Sequence, residues 1–149
     1  MKNKKIITLC SSAAFFKQAL EIGQELSLFG FRVRYPYTAL KMKANGDFRI
    51  ETYKTWFKDS KNYKKKTWLI KNHFKKVIES DAILVLNYSK NDICGYIGGN
   101  TLAEMVIAFH YKKPIYILNP ISEELGFKEE VYGLEPIFLN GNLKKITLK

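Results

Sequence analysis

Two cysteines in 149 residues are too few for a disulfide-stapled scaffold, and Cys10 and Cys94 do not stand at metal-ligand spacing. Two free thiols are expected. The apolar runs are short and broken by charge, so none suits a membrane span. Met1 to Lys5 is basic, but the apolar residues that follow, Ile6 to Leu9, give way to Ser11 and Ser12 too soon for a signal-peptide core, which predicts a cytoplasmic protein. Arginine is also scarce. Only Arg32, Arg34 and Arg49 carry the bidentate fork that reads guanine, and the other basic residues are lysines, so the net charge of +11 reads as a solvated surface, with nucleic acid not the expected partner. Attraction of anionic small molecules is compatible with it. No G-x-G-x-x-G follows the first apolar segment and no Walker lysine-serine pair occurs, which removes the hydride-transfer and ATPase readings. No cofactor is expected, and His110 has no partner at ligand spacing, so no metal is expected either.

What is present is a folded chain. A hydrophobic fraction of 46% and an aromatic fraction of 14% over this length predict one domain with a buried core. Apolar strand candidates begin at Ile6, Phe31, Ala82, Ile115 and Pro136. Helical periodicity lies between them: Ala13 to Phe29, with Phe15, Ala19, Ile22, Leu26 and Phe29 on one face; Thr67 to Ser80, with Leu69, Ile70, His73, Phe74, Val77 and Ile78; Thr101 to Tyr111; and a charged piece from Ser122 to Tyr132. Residues 37–66 carry the least pattern and read as an insertion or lid. The alternation predicts an α/β fold, a flavodoxin-like or Rossmann-like open parallel sheet of about five strands in the order 2-1-3-4-5 with helices on both faces. Its ligand crevice should lie beyond the carboxyl ends of strands one and three.

Both of those ends carry unusual loops. After strand one comes Cys10-Ser11-Ser12-Ala13-Ala14-Phe15, small residues opening a helix whose free N–H groups favour an anion. Ser11 and Ser12 suit a phosphate or a ribose hydroxyl, or cap the helix. After strand three comes Asn87-Tyr88-Ser89 and then "GYIGGNTLAEM", residues 95–105. There Thr101 and Glu104 stand at the spacing of a capping box, and a purely structural role for the glutamate follows from that pattern. A cap does not require Gly98-Gly99-Asn100 before it, whereas a backbone that closely approaches a sugar or phosphate does. Leu102, Met105, Val106 and Phe109 form the expected buried stripe, and Glu104 falls about 200° from Leu102 at 100° per residue. Ala103, Ile107 and Ala108 make the opposite face apolar as well, so a neighbouring subunit or the insertion should cover it. Asn87 and Tyr88 are candidates to hold a sugar or base. Asp92 reads as a solvated loop residue, His73 as a core histidine, and Trp56, Tyr63 and Trp68 as packing for the insertion.

The stretches "ILVLNYS", "GGNTLAEMVIAFHYKKPIYIL" and "IITLCSSAAFFKQALEIGQEL" together resemble the nucleoside 2-deoxyribosyltransferase family, whose superfamily includes nucleoside 5′-monophosphate N-glycosidases. The resemblance covers most of the chain outside residues 37–66. It implies cleavage or transfer at an N-glycosidic bond of a nucleoside or nucleotide, with Glu104 as the nucleophile; Asn87, able to hydrogen-bond a sugar hydroxyl or the base, is a candidate to assist. Cys10, Ser11, Ser12, Phe15, Tyr88, Gly98, Gly99, Asn100 and Thr101 would then bind substrate. The chain departs from the family where transferases commonly carry acidic residues, having Asn87 and Gly98, and it has Asn100 in place of a usual glycine. A nucleotide-sensing module of the same fold, with weakened catalysis, is the alternative. A helix that is apolar nearly all round predicts a homo-oligomer, a dimer in the first instance.

Overall fold

The computed structural model describes residues 3–148. Five strands, β1 (Ile6–Ser11), β2 (Arg32–Arg34), β3 (Ala82–Leu86), β4 (Ile115–Ile117) and β5 (Ile137–Phe138), form one sheet in the order β2-β1-β3-β4-β5, with every pair parallel. This is the α/β, flavodoxin-like order 2-1-3-4-5.

Side chains alternate across the sheet with the period of two that a strand imposes. Ile7, Leu9, Leu84 and Leu86 face one core, which is closed by Ala19 and Leu26 of α1 (Phe16–Leu28). Cys10, Ile83, Val85 and Ile117 face the other. Val77 of α4 (Tyr63–Glu79) and Met105 and Ala108 of α5 (Gly99–His110) close that side. Burial on both faces explains why Ala82–Leu86 is apolar without interruption.

Residues 37–66 are ordered into α2 (Tyr37–Asn45), α3 (Ile50–Tyr53), a short 3-10 turn at Ser60–Asn62 and the first turn of α4, which starts at Tyr63 and not at Thr67. A third apolar cluster of Phe16, Ala39, Met42 and Tyr53 lies under α2 and α3. The path into α2 is fixed by a close contact: a Cβ at Gly23 would sit 2.1 Å from the Tyr35 hydroxyl oxygen. Gly23 is the buried residue at this turn of α1, and Ile22, expected on that face, packs half-buried against the same core. Phe29, expected on that face, is 42% exposed, because the helix ends at Leu28 and the chain turns at Gly30 with φ +96°.

Two other expectations are corrected. The charged piece at 122–132 is helical only in its second half, as α6 (Lys128–Gly133), and its first half is turns and irregular chain. More consequentially, α5 begins two residues earlier than Thr101. Its N-cap is Gly98, extended at φ −84° and ψ 169° with no side-chain cap bond, so Thr101 is the third helical residue and the capping box does not form. The buried face of α5 is Thr101, Glu104, Met105 and Ala108, the i, i+3, i+4, i+7 set, while Val106 and Phe109 are about half exposed, at 47% and 48%. Glu104 thus lies on the buried stripe itself and not opposite it, on a face that residues 37–66 cover, one of the two covers expected for it. Among the described residues, no helix is long and apolar enough to cross a membrane. Cys10 is buried and Cys94 exposed, and both are free.

Candidate active site at the switch point

The carboxyl ends of β1 and β3 open onto a cavity of about 210 Å³ roofed by α2 and α3. Its volume is below the roughly 300–1,000 Å³ of drug-sized pockets, a size for a compact metabolite and not for a polymer. The β1 end supplies Ser11 and Ser12, the α5 start supplies Gly98, Gly99, Asn100, Thr101 and Glu104, and α4 supplies Lys66 and His73. Seven of the expected site residues are therefore brought together. Gly98 and Gly99 leave the mouth beside α5 free of Cβ atoms that would narrow it.

Four expected residues stand elsewhere. Asn87 is fully buried, and its amide is already used: Nδ2 donates to the Asn119 carbonyl at 2.7 Å and the Gly95 carbonyl at 3.4 Å, while Oδ1 accepts from the Asn119 N–H at 2.9 Å. The Asn119 side chain returns a bond to the Asn87 carbonyl at 3.2 Å. With both amide protons and the oxygen engaged, Asn87 clamps the loops after β3 and β4 and has no reach into the cavity. The same clamp explains Gly95, where φ is +66° and a Cβ would lie 2.1 Å from the Pro120 carbonyl oxygen. Phe15 and Tyr88 pack edge to face at 5.4 Å, away from the cavity, because the short 3-10 turn at Ala13–Phe15 directs Phe15 into the core. Cys10 lies beneath the cavity wall, since the alternation along β1 sends its side chain to the α4–α5 side.

There it meets the least expected member of the site. His73 Nε2 is 3.5 Å from Cys10 Sγ and 3.5 Å from Glu104 Oε2. Reading His73 as a core histidine accounts for its burial but misses its neighbours. It is the polar residue on the otherwise apolar face of α4, and that was the available signal. Burial pushes the Glu104 carboxyl up to about 8, with Lys66 opposing. Burial also depresses His73 to about 4, Lys76 adding to the effect and the Leu9 backbone opposing it. The Cys10 thiol is pushed well up by burial and then by Glu104. At neutral pH the site therefore holds a protonated carboxylic acid, a neutral imidazole and a thiol. Cys10, His73 and Glu104 each offer one donor atom, all within 4.8 Å of one another, close enough to meet one ion. A metal would take the thiolate, and the burial that keeps this thiol protonated works against that use.

The roof adds residues that local pattern did not single out. Trp56, expected only to pack the insertion, is buried and lines the cavity with the Lys66 ammonium 5.5 Å from its ring centre. Lys54 and Lys90 line it too. Tyr63 and Trp68 are half exposed and Asp92 sits at φ +61° in an exposed turn, all three outside the cavity lining.

No family model matches this sequence, and no curated protein matches it. Among solved structures, the chain is similar to a 2-deoxyribosyltransferase from Bacillus psychrosaccharolyticus, at 16% identity and a TM-score of 0.48, over 82% of this chain and 77% of that one.

Proposed function

We propose that the protein cleaves or transfers the N-glycosidic bond of a nucleoside or nucleoside 5′-monophosphate, with Glu104 as the nucleophile. The observation that carries this reading is the Glu104 carboxyl, 3% exposed, set on the wall of a roofed cavity beside a glycine-only backbone and 3.5 Å from an imidazole nitrogen. A cap role is no longer an explanation for it, since α5 is capped at Gly98. A buried acid without an arginine or lysine salt bridge is expensive to keep, and such groups cluster where proton chemistry is done.

Between about pH 4 and 8 the Glu104–His73 pair holds one proton. With that proton on the imidazole, Glu104 is a carboxylate and His73 an acid. A carboxylate oxygen attacks C1′ of the sugar, the C1′–N bond breaks, and its electron pair leaves with the base, which takes the proton from His73 directly or through a water. Water or a second base then attacks C1′, the ester C–O bond breaks, and the carboxylate is regenerated while the attacking group's proton returns to His73. The separation of 3.5 Å is long for a hydrogen bond, and such contacts shorten when substrate closes a site.

The test is a panel of nucleosides and nucleoside 5′-monophosphates, with free base followed by chromatography, run on the wild type and on Glu104→Gln. The amide cannot form the glycosyl ester, so turnover should fall by about 10³-fold or more with the melting curve intact. Near-wild-type turnover in that variant would reject the nucleophile. Tight ligand binding with no base released by the wild type would favour the sensing module.

A further inference from the structure

The cavity is lined by three ammonium groups from three separate parts of the chain: Lys54 after α3, Lys66 in the first turns of α4, and Lys90 in the loop after β3. Lys54 is repelled by both of the others. No carboxylate lies within salt-bridge distance of any of the three among the described residues. The acid that does line the cavity, Glu104, is held neutral by its burial. Neutral groups hold Lys66 and Lys90 in place. Lys66 donates to Asn100 Oδ1 at 3.3 Å, Lys90 donates to Ser12 Oγ at 3.1 Å, and Lys90 lies 5.1 Å from the Tyr96 ring centre.

Half-burying like charges together without a counter-charge is unfavourable, and Lys54 and Lys66 are both pushed below the usual lysine value, by burial first. An anion bound among them removes that cost. A second, independent observation points the same way. Thr101, 1% exposed, lines the cavity with its hydroxyl unpartnered, in the first turn of α5 where the N–H groups are free.

We propose that Lys54, Lys66 and Lys90, with the Thr101 and Ser12 hydroxyls, form a site for a phosphate monoester dianion, so that the molecule presented to Glu104 is a nucleoside 5′-monophosphate and not a nucleoside. The assignment of the anion is independent of catalysis, whereas the assignment of the nucleotide rests on the reading of Glu104 above. A phosphate monoester carries about −1.5 to −2 charge at neutral pH and three acceptor oxygens. That matches three ammonium groups better than a monoanionic carboxylate does.

The experiment measures binding by calorimetry and melting shift at fixed ionic strength. The probes are inorganic phosphate, acetate, the common nucleoside 5′-monophosphates and the matching nucleosides. Wild type, Lys54→Gln and Lys66→Gln are compared, with melting curves to verify folding. Inorganic phosphate should bind and acetate should not. A monophosphate should bind about tenfold or more tightly than its nucleoside, and each lysine variant should remove most of that difference. Equal affinity for nucleoside and monophosphate, or lysine variants that bind monophosphate like the wild type, would overturn the anion site. Lysine-dependent binding of inorganic phosphate without binding of any monophosphate would overturn the nucleotide and leave a free-phosphate site. Lysine-dependent monophosphate binding with no release of base would support the anion site while the glycosidase reading failed. Release of base at equal rates from both substrate classes would do the reverse.

Discussion

His73 Nε2 faces Glu104 Oε2 across 3.5 Å inside a shell that water scarcely reaches. The two residues come from different helices, α4 and α5, and share one proton over a wide range of pH.

Because the working form of the pair has one proton, kcat/KM should be level near neutrality, fall above about pH 8 as that proton is lost, and fall below about pH 4 as a second is gained. His73→Gln should lower turnover by about 10²-fold to 10⁴-fold and abolish the plateau, without a comparable loss of melting temperature. A pH–rate profile on both proteins checks this. A variant with wild-type turnover would remove His73 from the mechanism.

The same two groups act on stability with opposite signs. Glu104 has a folded value near 8, above its ordinary 4.5, so the stability it gives is full below pH 4.5 and is lost as pH rises through 8. His73 has a folded value near 4, below its ordinary 6.5, so its stability is present above pH 6.5 and lost as pH falls through 4. The slopes oppose between pH 4.5 and 6.5, and above that the Glu104 slope is uncompensated. At about 1.4 kcal/mol per proton per pH unit, that slope removes about 2 kcal/mol between pH 6.5 and 8. Denaturant melts should show this decline in the wild type and a flatter line in Glu104→Gln. Parallel lines would contradict it.

Asn87→Ala tests the clamp. Removing the amide leaves the Asn119 N–H and two carbonyls without their partner, which should cost about 1–3 kcal/mol. Turnover per folded molecule should stay at the wild-type level, since Asn87 lies outside the cavity. A specific loss of turnover at unchanged stability would return Asn87 to the chemistry.

Val106 and Phe109 on α5 border Ile137 of the edge strand β5, and all three are about half exposed. A second copy of this chain covering that patch would satisfy it, so light scattering at micromolar concentration should give the mass of a dimer. Phe109→Glu should shift it to a monomer. A monomeric wild type would refute the assignment.

The sheet was legible because both of its cores are built from period-two residues. Ile83 and Val85 against Leu84 and Leu86 announce a strand buried on two sides, and the loops at the switch point follow from strand order alone. The face of α5 was not. Val106 and Phe109 are more apolar than Thr101 and Glu104, so hydrophobicity placed the buried stripe partly off its true line: Leu102 and Met105 pack into the core as expected, and Val106 and Phe109 do not. Asn87 illustrates a similar limit: an asparagine at a strand end can bind ligand or clamp loops, and its partner Asn119 is 32 residues away. Lys54, Lys66 and Lys90 had no local pattern, because they become a group only when residues 37–66 fold over the crevice and bring two of them to the loop after β3.

The apolar cluster of Phe16, Ala39, Met42 and Tyr53 is separate from the two that clamp the sheet. The packing of the roof is therefore distinct from the packing of the sheet: a smaller side chain at Met42 would open a void under α2 and α3, and one at Leu84 would open a void against the sheet.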